Sequence, residues 1–289
     1  MTYSKNDLKK NLKNLGLNKG DICLVRSHLR EIGNIEGRRS KTVLDALLET
    51  IGQEGTLFAL TFTKIHKLPL DKNNPEHYFT NQTKPYTGGF PRECLSHPDS
   101  LRSKHPATSF CGIGKDAFEI LSNHNEKSSS YEPVGKMIEK NGKMLLIGAL
   151  NENPGFISVH WAKWLLGYSV QSKYAGISGA YYFDEKGMKH IYIRNDIGGC
   201  SRGFNKFYKY YRDAKILTEG KLGDADCMMI ELKKALKVEL PLLKNNPRFF
   251  LCNNPDCRGC RIGWEFSDTN PIIFKIRREI PKLLQKIKQ

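Results

Sequence analysis

The sequence predicts an α/β fold with a central, mainly parallel sheet flanked by helices, and three features carry that expectation. Apolar runs at residues 21–27, 56–62 and 143–150 have the length and composition of buried strands. Residues 42–51, between the first two runs, place Leu44, Leu47, Leu48 and Ile51 on one helical face. A strand, a helix and a second strand entered through the turn at 52–55 make a β–α–β unit, which sets its strands side by side in parallel.

The flanking elements follow in order. Leu8, Leu12 and Leu15 recur at helical spacing in a Lys- and Asn-rich N-terminus, and Ser4 with Asp7 three residues on reads as an N-cap. That stretch has no signal-peptide character. Residues 64–100, rich in Lys, Asn, Pro and Gly, form a loop-rich insertion of the kind that serves as a lid. Residues 177–183 and 190–194, joined through 184–187, predict a hairpin, and residues 204–213 and 224–237 predict two further helices. The tail at 275–289 sets six basic residues against Glu279, is interrupted by Pro281, and reads as a solvated terminal helix. The expected organisation is one domain over residues 1–289, with the hairpin and helical region added to the sheet.

Hydrophobic residues make up 39 % of the 289, and no apolar run approaches the roughly 20 residues that cross a bilayer. A cytoplasmic protein without a transmembrane segment is the expectation. Eight cysteines without an export signal read as thiols or metal ligands rather than disulfides. The formal charge of +16 favours nucleic acid, a membrane surface or an anionic small molecule as partner, and works against a polycationic substrate. A phosphate-loop enzyme is excluded: around Gly135-Lys136 the required Gly is Ser130, and the required Ser or Thr is Met137.

Three segments carry chemistry. Leu101-Arg102-Ser103-Lys104-His105-Pro106-Ala107-Thr108-Ser109-Phe110 gathers a guanidinium, hydroxyls and an imidazole, a set suited to a small anionic ligand. Ile22 to Leu29 is an apolar strand ending in Arg26-Ser27-His28-Leu29. Met144 to Ala149 is another, followed by Asn151 to His160. His160 follows Pro154-Gly155, a helix-start signal, and sits early in an apolar helix with Val159, Trp161, Trp164 and Leu165. The positive helix end and the apolar packing both disfavour imidazolium. Taken alone, such a ring reads as a satisfied core histidine.

In order and spacing, these segments with Thr61-Phe62-Thr63 and Ser158-Val159-His160 resemble the aminoglycoside 3-N-acetyltransferase family, from about residue 5 to residue 260. The resemblance implies that His160 is a general base and that acetyl-coenzyme A is the cosubstrate. It implies coenzyme contacts from Ser27, His28, Leu29, Thr61, Thr63, Arg102, Ser103, His105 and Ser109, with backbone amides near Ser27 polarising the thioester carbonyl. The sequence departs from the family where Arg26 and His28 replace its first histidine and second serine, and where Lys163 replaces the acid three residues after the base. A carboxylate partner for His160 must then come from elsewhere; Asp196 is the candidate, with Asn151 and Glu152 as alternatives. No cysteine stands among the site residues that the resemblance implies, so direct attack by the amine is expected rather than a cysteine acyl-enzyme. Given the charge, the acceptor expected is an amino sugar, a nucleotide-linked one fitting better than an aminoglycoside. Acetylation of an aminoglycoside, conferring antibiotic resistance, is the alternative within the family. The partners are then the small amine and coenzyme A, with a homodimer left open and no nucleic acid.

Cys252, Cys257 and Cys260 contain a Cys-x-x-Cys half that often turns around zinc, with Cys200 or Cys227 as a fourth ligand; packed reduced thiols are the plainer reading. An iron–sulfur cluster would need a cysteine after Cys260, and there is none. A basic nucleic-acid-binding protein with cysteine-ligated zinc is the rival of a different class. Its support is the charge and the interleaving of Phe207, Tyr208, Tyr210 and Tyr211 with Lys206, Lys209 and Arg212.

Overall fold

The computed structural model describes residues 2–152, 154–267, 269–270, 272–276 and 279–280. The basic tail at 275–289 lies outside them, apart from Lys275, Ile276, Glu279 and Ile280. A seven-stranded sheet runs in the order Leu217–Leu222, Ala225–Glu231, Lys143–Ile147, Ile22–Ser27, Thr56–Leu60, Phe110–Gly114 and Leu101–Arg102. The three apolar runs of the sequence are its centre: Ile22–Ser27 pairs in parallel with Thr56–Leu60 on one side and Lys143–Ile147 on the other. Helix Arg39–Ile51 makes the first crossover.

The α/β class with a central sheet between helices holds, but within the seven-stranded sheet parallel pairing is confined to those three strands. Both flanks are antiparallel, because the chain reaches them by hairpins or reversals that need no crossover helix. Ala225–Glu231 is a strand, not the start of the helix expected over 224–237; the helix is Leu232–Asn245. The run Met228-Met229-Ile230 suits either period, and its place between two strand partners decides the matter.

Alternation along each strand builds two cores. Cys23, Val25, Leu57, Ala59, Leu145 and Ile147 pack with Leu8, Leu12, Leu44 and Leu47 of helices Lys5–Asn14 and Arg39–Ile51. Ile22, Leu24, Phe58, Leu60, Met144 and Leu146 face the other way, onto Val134, Val159, Phe207 and Leu243. Strands apolar on both faces require this covering. The Ser4–Asp7 capping box opens the first helix as expected.

The insertion at 64–100 is anchored rather than loose. His66–Lys67 joins the hairpin of Ser178–Phe183 and Lys189–Ile193 as a third strand. The Phe79 amide donates to the Tyr181 carbonyl at 2.7 Å, and that of Tyr86 to the Phe62 carbonyl at 3.0 Å. The Thr87 hydroxyl donates to the Leu60 carbonyl, so residues 86–92 sit at the end of the second parallel strand. Among the described residues no helix is long and apolar enough to cross a membrane.

Candidate active site

Two cavities lie side by side where the parallel strands end, the position at which open α/β sheets present ligands. The larger, of 680 Å³, is lined by Ser27, His28 and Leu29, by Tyr86 to Arg92, and by Gly148, Ala149 and Glu152. The smaller, of 410 Å³, is lined by His160, Tyr131, Phe204, Arg194 and Ser201, among others. Arg26, Leu60, Tyr86 and Thr87 line both, so the two share a wall. Both volumes suit small-molecule sites. Arg26, Arg30 and Arg92 face the larger cavity against one carboxylate, Glu152. The smaller has Arg26 and Arg194 and no Asp or Glu in its lining.

His160 is the third residue of helix Ser158–Leu165. The chain enters that helix through Gly155, whose φ of +89° and whose distance of 2.0 Å from a built Cβ to Phe204 Cβ leave room for glycine alone. The imidazole stacks on Tyr131 with ring centroids 4.6 Å apart and meets Phe204 edge-on at 4.8 Å. It is 8 % exposed, and its Nδ1 is buried without a hydrogen-bond partner. Burial above all, then the charges of Lys163, Arg194 and Arg26, push its pKa well below 6.5, and the nearby Gly198 backbone opposes them only weakly. The ring is therefore a neutral base at pH 7.

The residues expected to hold coenzyme divide into two groups. Ser27, His28 and Leu29 line the larger cavity, and the Ser27 Oγ is buried without a partner. His28 Nδ1 lies 2.6 Å from Glu31 Oε1, and that carboxylate, held low chiefly by this bond, also accepts the Ala149 amide at 2.9 Å. The His28 amide donates to the Ile147 carbonyl at 2.7 Å, so among the amides near Ser27 this one is already engaged.

Thr61, Thr63, Arg102, Ser103, His105 and Ser109 line neither cavity. They are buried, and their polar atoms are spent on the fold. Arg102 donates to the carbonyls of Asn81, Thr83 and Thr61 and to the Ser109 hydroxyl. The Ser109 hydroxyl donates to the Thr61 carbonyl at 2.8 Å, and that of Thr63 to the Pro106 carbonyl. Ser103 Oγ accepts the Phe110 amide at 2.9 Å, and His105 Nδ1 accepts the Thr108 amide at 3.0 Å. The segment is a polar staple that ties the insertion to the sheet.

The family profile of the aminoglycoside 3-N-acetyltransferases matches residues 24–244. The chain belongs to that family. An SPbeta prophage-derived aminoglycoside N(3')-acetyltransferase-like protein of Bacillus subtilis is 26 % identical over 253 residues, covering 81 % of this chain and 89 % of that protein. Aminoglycoside N(3)-acetyltransferase IX of Micromonospora chalcea is 27 % identical over 161 residues, covering 50 % of this chain and 57 % of its own length. The chain thus matches little more than half the length of some curated relatives. Among solved structures, the apoenzyme of aminoglycoside acetyltransferase AAC(3)-IVa superposes with a TM-score of 0.72 at 22 % identity, over 91 % of this chain and 97 % of that one. AAC-IIIb in binary complex with CoASH gives 0.73 at 20 % identity, over 85 % and 97 %. These likenesses establish the acetyltransferase fold.

Against that family frame, the carboxylate assigned to His160 needs correction. Asp196 accepts the amide and the hydroxyl of Ser130, which occupies both its oxygens. Asn151 lines a separate hollow beside Tyr208 and Arg212, and Glu152 lines the larger cavity. Neither bonds His160. Lys163, at the position of the family's acid, is fully buried, donates to the Gly198 carbonyl at 2.6 Å, and lies over the rings of Phe250 and Trp264 at 3.9 and 4.1 Å. Burial pushes its ammonium strongly toward the neutral form. A carboxylate that sequence reading overlooked, Glu239, lies under the base-bearing helix, its Oε1 accepting Ser158 Oγ at 2.6 Å and Tyr211 OH at 2.5 Å.

Arg194, Tyr131 and residues 86–92 also went unassigned. The only hints were the Gly88-Gly89-Phe90-Pro91 punctuation inside the insertion and the dense polar run beginning at Arg194. Of the aromatics that carried the nucleic-acid reading, Phe207, Tyr208 and Tyr211 are buried in the core, while Tyr210 lies with Lys206, Lys209 and Arg212 along a surface hollow. Cys252, Cys257 and Cys260 come together with Cys200, whereas Cys227 is held in a strand opposite Ile147.

Proposed function

We propose that the protein transfers the acetyl group of acetyl-coenzyme A to the amine of an amino sugar that also carries an anion, such as a phosphate or a nucleotide. The observation that carries this reading is His160, held neutral by burial, on the wall of a cavity lined also by Arg26 and Arg194 and by no carboxylate. A polycation would meet like charge there, whereas a phosphate would find two guanidinium forks.

The larger cavity fits coenzyme A by its donor set: Arg26, Arg30 and Arg92 complement phosphates, and the orphaned Ser27 hydroxyl offers a polar contact. The coenzyme supplies a thioester carbonyl. His160 accepts the proton of the amine as nitrogen bonds to that carbon and the carbon–sulfur bond breaks, and then returns the proton to the departing thiolate. Arg26, common to both cavities, orients the two substrates across one wall. No cysteine lines either cavity, which favours direct attack.

An aminoglycoside acceptor is the second reading. It is favoured by the names of the relatives and by a solved family structure, AAC-VIa, bound to sisomicin. Thiol release from acetyl-coenzyme A, measured across aminoglycosides, neutral amino sugars and their phosphorylated or nucleotide-linked forms, separates the two. Turnover with the anionic forms supports the proposal; turnover with polycations alone overturns it.

A further inference from the structure

The sulfurs of Cys200, Cys252, Cys257 and Cys260 all lie within 4.8 Å of one another, and all four are free thiols. Around a tetrahedral metal with bonds of about 2.3 Å, sulfurs stand roughly 3.8 Å apart, so a small inward turn of the side chains closes the set. Backbone amides already point at two of them: Cys252 N–H to Cys260 Sγ at 3.4 Å, and Arg202 N–H to Cys200 Sγ at 3.3 Å. Amide–sulfur bonds of this kind orient ligating thiolates. Four thiolates on a divalent ion carry a net charge near −2, and the surroundings supply cations. Lys206 Nζ reaches the Leu251 carbonyl at 2.7 Å, and Arg261 bonds the Cys252 carbonyl.

We propose that Cys200, Cys252, Cys257 and Cys260 bind one zinc ion, and that the ion fastens the strap at residues 196–203 to the turn at 252–260. Four soft ligands leave no open position, which makes the site structural rather than catalytic. Its position ties it to the smaller cavity. Gly199 and Ser201, on either side of Cys200, line that cavity, and the Gly198 carbonyl holds Lys163. The metal therefore braces the wall facing His160, and this inference stands whether or not the acceptor proposed above is correct.

The test uses the full-length protein purified without chelator from zinc-supplemented medium. Metal analysis should give one zinc per chain, and X-ray absorption four sulfur neighbours at about 2.3 Å. Iron in the site, or no metal with all thiols open to titration, overturns the assignment. Cys200→Ser should lose the zinc while Cys227→Ser retains it; retention by Cys200→Ser refutes the ligand set. Should Cys200→Ser fail to fold, cobalt exchanged into the unaltered protein decides instead. An intense tetrahedral thiolate–cobalt spectrum supports the site, and a spectrum of weak octahedral cobalt refutes it. Deuterium uptake over residues 196–203 should rise when the metal is removed; unchanged uptake refutes the fastening.

Discussion

Glu239 gives the protein a pH dependence that can be worked out from its surroundings. The carboxyl is fully buried; Ser158 and Tyr211 donate to Oε1, and Oε2 has no partner. Burial outweighs those two bonds and pushes its pKa from 4.5 up to about 7. A carboxyl whose folded pKa is raised binds its proton more tightly in the native state. Its stabilising effect is then complete below the unfolded value and lost as the pH climbs through the folded one. A shift from 4.5 to about 7 corresponds to about 3 kcal/mol, drained from the fold between those two pH values. Glu239→Gln removes the ionisation while keeping an oxygen for Ser158 and Tyr211, so its stability should lose this slope. For 289 residues, about 3 kcal/mol corresponds to a Tm difference of about 5 °C. Thermal unfolding followed by circular dichroism from about pH 5 to about pH 8 should show the variant gaining on the parent by that order as the pH rises. Curves that stay parallel over the range would mean that Glu239 does not change its charge there, and the burial argument would fail.

Four further outcomes follow from the same geometry. His160→Ala should lower kcat by about a hundredfold or more, the range of a lost general base, with circular dichroism unchanged. Because the His160 pKa is pushed well below 6.5, the unprotonated base persists on acidification, and kcat/KM should show no falling limb centred near 6.5; such a limb, absent in His160→Ala, would contradict the assigned environment. Arg194→Ala should raise KM for an anionic acceptor about tenfold, the loss of one charge-assisted contact, while KM for acetyl-coenzyme A stays constant; equal effects on both substrates would place Arg194 outside the acceptor cavity. Asp196→Asn should cost about 1–3 kcal/mol through its bonds to Ser130 yet leave the pH profile of turnover in place, read by parallel melting and rate measurements; a displaced profile would make Asp196 the partner of His160 after all.

What could be read from the chain alone depended on whether a residue's role is set locally or by distant chain. Ile22–Ser27, Thr56–Leu60 and Lys143–Ile147 were legible because apolar strands separated by a helix have few ways to pack. The 101–110 segment is the opposite case: its residue types advertise donors, but only the fold shows who accepts from them. Arg102 reaches the Thr61 carbonyl 41 residues away and has four of its five N–H donors engaged within the fold. The fourth cysteine was undecided between two positions until topology locked Cys227 beside Ile147 and delivered Cys200 to the other three. Charge behaves the same way. The sequence holds 46 Lys and Arg residues, a total that matches many partners, yet two of them line the cavity beside His160. Bulk charge bears on how fast an anion arrives, whereas two half-buried arginines beside His160 bear on which ligand the cavity would favour. The strand carrying Arg26 and the strap following Arg194 therefore say more about the acceptor than the net charge of +16.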